Sequence, residues 1–127
     1  MSTRKIIIVE GKTDKRRLEQ ILLEPVHILC TFGTLSDEKI EQFIESVEED
    51  DVYILVDADK PGNEIRQQLK RELPNAKHLY TRRMYREVAT TPISYLAKIL
   101  HDAHFVIDES FLEEAPKEKG VSNKSAY

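Results

Sequence analysis

The sequence predicts an α/β domain, a mainly parallel sheet of about four strands flanked by helices. Three observations carry that expectation. Ile6-Ile7-Ile8-Val9 and Val52 to Val56 are continuously apolar, as strands buried on both faces are. Stretches whose apolar residues recur with a helical period separate the strands. The links between them are short, so strand and helix alternate along the chain.

The first strand is expected over Lys5 to Val9, followed by a helix from Lys12 to Leu23 with Leu18, Ile21 and Leu22 on one stripe, ended by Pro25. Val26 to Cys30 reads as a second strand, with Thr31-Phe32-Gly33-Thr34 as its turn. Ser36 is placed to cap the next helix, with Asp37 and Glu38 in the first turn where the dipole favours acids. Ile40, Phe43, Ile44 and Val47 give that helix its apolar face. After Asp50 and Asp51, Val52 to Val56 forms the third strand. A third helix is expected from about Gly62 to Leu73, burying Ile65, Leu69 and Leu73. Pro74-Asn75 turns the chain into a fourth strand, Lys77 to Tyr80. Thr91 and Pro92 read as cap and first residue of a last helix, with Ile93, Leu96, Ala97 and Leu100 inside. Phe105 to Ile107 either adds an edge strand or lies on the core.

At 127 residues the chain has the size of one domain. No apolar run approaches the roughly 20 residues that cross a bilayer, and no cleavable signal pattern precedes the first strand. Cys30 has no partner for a disulfide and reads as a buried thiol, and the cytoplasm is the expected compartment. The net charge of −4 argues against a general nucleic-acid binder, but its distribution is uneven. Ser36 to Asp59 holds ten acids against one base, whereas Lys60 to Arg86 holds eight bases against two acids. That order suggests a polarised surface, although solvated helix backs would give the same count.

Both strong strands end on carboxylates followed by a glycine: Val9-Glu10-Gly11 and Val56-Asp57-Ala58-Asp59-Lys60-Pro61-Gly62. First and third strands of an open α/β sheet are commonly neighbours, so Glu10, Asp57 and Asp59 can meet in one crevice at its carboxyl edge. Three clustered acids repel one another unless a hard divalent cation sits between them, and Mg²⁺ favours such oxygen-rich sites. The competing reading is that these aspartates cap the next helix. Asp14, one turn into its helix, is either a fourth acid of the metal shell or a first-turn charge. Gly11 allows close approach or a positive φ, and Gly11-Lys12 at a helix entry can hold an anion. The spaced glycines of a P-loop are missing.

Val9-Glu10-Gly11-Lys12-Thr13-Asp14, together with Asp57-Ala58-Asp59-Lys60-Pro61-Gly62-Asn63-Glu64-Ile65-Arg66, resembles the Toprim domain of topoisomerases, bacterial primases and related nucleases. The second stretch is most similar to the maturation ribonuclease that trims the smallest bacterial ribosomal RNA. The resemblance covers roughly residues 4 to 100. It implies a Rossmann-like, three-layer Toprim fold, placed over residues 1–112. The polar composition of 113–127, with Pro116 and Gly120, makes that stretch a tail expected to be flexible. The resemblance further implies that Asp57 and Asp59 hold Mg²⁺, with Mn²⁺ as a substitute, and that Glu10 acts as general acid or base or as a further ligand. Lys12 matches a position that is often basic in the ribonuclease branch.

Basic residues near that edge are candidates for contact with phosphate. Lys60 lies within the second motif, and Arg66 sits four residues beyond Gly62, with pairing to Glu64 as its alternative role. Arg82, Arg83 and Arg86, beside Tyr80 and Tyr85, form a basic and aromatic stretch suited to phosphate and unpaired bases. His27 and His78 read as strand residues. His101 and His104 lack the cysteines or acids that would complete a zinc site.

The expected function is Mg²⁺-dependent phosphodiester chemistry on RNA or DNA, with hydrolysis requiring the fewest additional parts. Toprim enzymes usually join this domain to others, so the alternative is a non-catalytic Toprim module that binds metal and nucleic acid or a protein partner. Receiver-like phosphoacceptor chemistry fits less well, because the first strand lacks paired acids and no late-strand lysine is evident.

Overall fold

The computed structural model describes residues 4–33, 35–47, 50–81 and 84–113. β1 (Lys5–Val9), β2 (His27–Cys30), β3 (Asp51–Leu55) and β4 (Lys77–Leu79) form one sheet in the order β2-β1-β3-β4. All three pairings are parallel, with Ile7 opposite Ile28 on one side and Tyr53 on the other. The helices are α1 (Lys12–Ile21), α2 (Asp37–Val47), α3 (Lys60–Glu72), α4 (Ile93–Asp102) and α5 (Ser110–Glu113).

Side chains alternate across the central strands, so the sheet separates two cores. Ile7, Val9, Tyr53 and Leu55 pack with Leu18, Leu96, Leu100 and Phe105. Ile6, Ile8, Ile54 and Val56 pack with Ile40, Val47, Ile65 and Leu69. Ile6 to Val9 are inaccessible to solvent, which is why β1 carries no polar residue between Lys5 and Glu10. Helices on both faces cover every strand that reads as a continuous apolar run, giving the three-layer architecture the sequence predicts.

Several boundaries differ from expectation. α1 stops at Ile21, and Leu22 instead forms an isolated antiparallel bridge with Ile107. Phe105 and Ile107 therefore join the core on that side, and 105–107 adds no edge strand. α3 begins two residues early because Asp59 caps it and Pro61 occupies its first turn. Thr91 does not cap α4. Its hydroxyl donates back to the Glu87 carbonyl at 2.7 Å, while Pro92 takes the cap position. Ser36 does receive the Lys39 N–H, at 3.3 Å. Of the expected tail, 113–127, Glu113 instead closes α5, and 114–127 lies outside the described residues.

Candidate metal centre

Parallel strands deliver their following residues to one edge, so Glu10 and Asp57 emerge side by side after β1 and β3. Each acid of the site is oriented by a backbone N–H. The Asp57 amide donates to Glu10 Oε2 at 2.7 Å. Asp57 Oδ1 accepts from Val88 N at 2.8 Å, and Asp59 Oδ1 accepts from Gly62 N at 2.9 Å. Asp59 is thus both helix cap and site residue, which joins the two competing readings of the sequence. One carboxylate oxygen from each of Glu10, Asp57 and Asp59 falls within 4.8 Å of the others. That convergence fits a small hard cation, which takes all-oxygen donors.

The electrostatics reflect that crowding. Glu10 is raised to about 7, chiefly by burial, with the Asp57, Asp59 and Asp14 charges adding to it and the Asp57 amide opposing it. Burial likewise raises Asp57, helped by the Asp59 and Glu87 charges and opposed by the Val88 N–H. Asp14 is buried, its pKa also raised by desolvation, and lies outside the triad. Its Oδ2 accepts the Gly11 N–H at 3.0 Å, making it the reciprocal cap of α1.

Two glycines of the motifs differ in need. A Cβ on Gly62 would stand 2.0 Å from the Asp57 carbonyl oxygen, so no side chain fits where α3 enters beneath the site. Gly11 does not behave as the sequence suggested. Its φ is −140°, an ordinary extended value, and a Cβ there would lie 3.9 Å from Asp14 Oδ2. Its N–H already serves Asp14, so it is not the free donor that an anion cradle requires.

Lys12 and Lys60 are exposed at the first positions of α1 and α3, beside the acids. Arg66 is in a different setting from the surface role expected of it. It is 5% exposed, and its guanidinium donates to Val56 O (3.2 Å) and Leu79 O (2.6 Å) and meets His78 Nδ1 at 3.1 Å. Because arginine only donates, His78 Nδ1 accepts and the imidazole proton sits on Nε2. Burial, with the Arg66 and Lys70 charges, pushes His78 below its usual pKa. Arg86 is exposed in a left-handed conformation (φ 57°), and its carbonyl receives the Ala58 N–H. Tyr85 packs against Tyr95, with ring centroids 5.4 Å apart. Arg82 and Arg83 lie outside the described residues. Cys30 is half-buried, its thiol pushed up by desolvation.

Sequence reasoning missed Val88 and Arg17. Val88 acts through its backbone N–H, for which no residue type is a signal. Arg17, on α1, donates at 2.7 Å to both the Val88 and Ala89 carbonyls. It thereby fixes the segment that orients Asp57.

A profile of the Toprim domain matches residues 5–86. The chain belongs to the Toprim family. This Toprim chain is 45% identical over 117 residues to the uncharacterized protein YusF of Bacillus subtilis (strain 168), covering 92% of this chain and 79% of YusF. It is 36% identical over 76 residues to ribonuclease M5 of Mycoplasma genitalium (strain ATCC 33530 / DSM 19775 / NCTC 10195 / G37). That match covers 59% of this chain and 42% of the ribonuclease, so the Toprim chain spans less than half of that relative. A small TOPRIM domain protein from Bacillus stearothermophilus superposes with a TM-score of 0.83 at 46% identity, covering 88% of this chain and 95% of that one. The Toprim fold and its acidic centre thus connect the protein to metal-dependent chemistry on nucleic acid. No helix among the described residues is long and apolar enough to cross a membrane.

Proposed function

We propose that the protein hydrolyses phosphodiester bonds in nucleic acid with Mg²⁺, or Mn²⁺ in its place, held by Glu10, Asp57 and Asp59. The observation that carries this reading is the shared design of the three acids. Each gives one oxygen to a backbone N–H, and the triad still brings an oxygen from each residue within 4.8 Å. Such a set of fixed acids is pre-organised, so little reorganisation remains when a ligand arrives.

When bound, the cation supplies Lewis acidity toward a phosphodiester oxygen and acidifies water. Asp57 and Asp59 hold their positions through Val88 and Gly62. Glu10 serves either as the third carboxylate around the cation or, outside its shell, as the group that holds or releases a proton at the oxygen that does not face the Asp57 amide. Lys12 and Lys60 neutralise phosphate at the two helix entries, joined by Arg86. Asp14 shapes the charge of the site from the first turn of α1. Arg66 acts from within the fold, and Arg82 and Arg83 are proposed as further phosphate contacts on sequence grounds.

Labelled structured RNA, single-stranded DNA and duplex DNA, each incubated with Mg²⁺ or Mn²⁺ beside an Asp57→Asn control, test this function. Cleavage by wild type alone supports hydrolysis. Absence of cleavage on every substrate, with metal binding intact, replaces it with a non-catalytic module that binds metal and nucleic acid or a protein partner.

A further inference from the structure

The carboxyl edge holds two aromatic residues that stay largely exposed. Phe32 follows β2 and Tyr80 follows β4, the two outer strands, while Glu10 and Asp57 follow the inner pair. The four strand ends therefore present an aromatic, two acids and an aromatic in a row. With adjacent strands about 4.8 Å apart, the two outer ends stand roughly 14 Å from each other. Phe32 is 66% exposed and Tyr80 58% exposed.

Phe32 is costly on two counts. It leaves an apolar ring in water, and its φ of 55° lies in the left-handed region that bulky residues rarely adopt. It is nonetheless anchored, since its N–H donates to the Glu10 carbonyl at 2.8 Å. The ring is thus tied by one peptide to the acid of β1. Strain of this kind at a site edge points to function.

Tyr80 is held differently. The buried Arg66 guanidinium lies 4.1 Å from the centre of its ring, and Arg66 is itself fixed by the Val56 and Leu79 carbonyls. The His78 ring lies alongside as well, 6.4 Å away between centroids, and a cation clamped against an aromatic ring makes a preset platform.

We infer that Phe32 and Tyr80 are stacking positions for unpaired bases on either side of the acidic centre, so that the ligand is a single-stranded or locally unpaired nucleic acid. Duplex bases have their faces covered by their neighbours, whereas unpaired bases stack on aromatic side chains regardless of sequence. The inference rests on the phosphodiester reading for the choice of a nucleic acid over another apolar ligand, and deepens it by naming the strand state.

The chain contains no tryptophan, so Phe32→Trp introduces a single reporter at the position in question. Short single-stranded RNA and DNA oligonucleotides and the matching duplexes are titrated into this variant with Ca²⁺, a hard oxygen-seeking cation, in place of Mg²⁺. Stacking quenches the emission with single strands and leaves it unmoved with duplex. In anisotropy titrations, Phe32→Gly and Tyr80→Ala each weaken single-strand binding at least about fivefold, and Tyr80→Phe restores it. Phe32→Gly suits the left-handed backbone, so its fold persists and its lost affinity reports on the ring. Unmoved emission, equal quenching by duplex, or unchanged affinity in Phe32→Gly overturns the inference. Cleavage by wild type with unmoved tryptophan emission removes the stacking positions and keeps the hydrolytic reading. Quenching without cleavage keeps the stacking positions and removes hydrolysis.

Discussion

The Asp57 amide donates to Glu10 Oε2 at 2.7 Å, so the acid after β1 is steered by the backbone of the acid after β3. The two motifs of the chain, 47 residues apart, are joined by this bond into one site. Glu10 can turn away only by leaving a half-buried amide without its acceptor, which costs about 1–3 kcal/mol.

Glu10→Gln keeps that acceptor and removes the charge. The fold is expected to persist, with Mg²⁺-dependent cleavage lowered by about 10²–10⁴-fold. Thermal denaturation with and without Mg²⁺ separates the two effects: the metal-induced rise in Tm shrinks in the variant while its metal-free Tm does not fall.

The pH dependence of the metal-free protein follows from the same residue. Glu10 titrates at about 7 in the folded protein against an ordinary value of 4.5. A raised carboxyl favours the protonated fold, so its contribution is fully present below about 4.5 and is lost as pH rises through 7. Asp57 shifts in the same direction. Metal-free Tm is therefore expected to decline from pH 5 to pH 8 relative to Glu10→Gln, and saturating Mg²⁺ is expected to flatten the decline. A steeper decline in Glu10→Gln would contradict this assignment.

His78 has the opposite sign. Its pKa is lowered, so its contribution is present above the unfolded value near 6.5 and is lost as pH falls below it. His78→Asn is expected to reduce the acid-side loss of stability, measured by urea unfolding at pH 5 and pH 7.

Gly62→Ala places a methyl group against the Asp57 carbonyl, where 2.0 Å is available. Overpacking of this severity is expected to cost about 3 kcal/mol and to abolish the Mg²⁺-induced rise in Tm. Gly11→Ala meets no such obstacle and is expected to stay within about 1 kcal/mol of wild type. Urea unfolding of the two variants side by side distinguishes the glycine that geometry requires from the one it tolerates.

Arg66→Met retains much of the volume and removes the donors to Val56 O and Leu79 O. With two carbonyls at the sheet edge left unsatisfied, the variant is expected to lose about 2–4 kcal/mol, again by urea unfolding. A surface phosphate contact would show almost none of this loss.

β1 and β3 were legible because strands covered on both faces must be apolar throughout, and their terminal acids then stand out. The meeting of Glu10 with Asp57 was legible from the usual adjacency of first and third strands. Arg66 was misplaced because its charge outweighed its position: Gly62, Ile65, Arg66 and Leu69 share one helical stripe, and all four are buried. The stripe was the better guide, since a guanidinium can satisfy carbonyls at the end of a sheet. Thr91 resembles a cap in sequence, but its hydroxyl can equally turn back to Glu87, a choice decided by the preceding turn. The Val88 amide was illegible in principle, because every residue except proline carries the same donor.

That amide has a practical consequence for where this unit can be cut. The family profile ends at residue 86, yet the peptide that aims Asp57 belongs to Val88, and Leu96 and Leu100 of α4 close the core beneath it. A fragment trimmed to the recognisable family segment would retain every motif carboxylate and still aim one of them wrongly. The transplantable unit therefore runs past its own signature, through the end of α4.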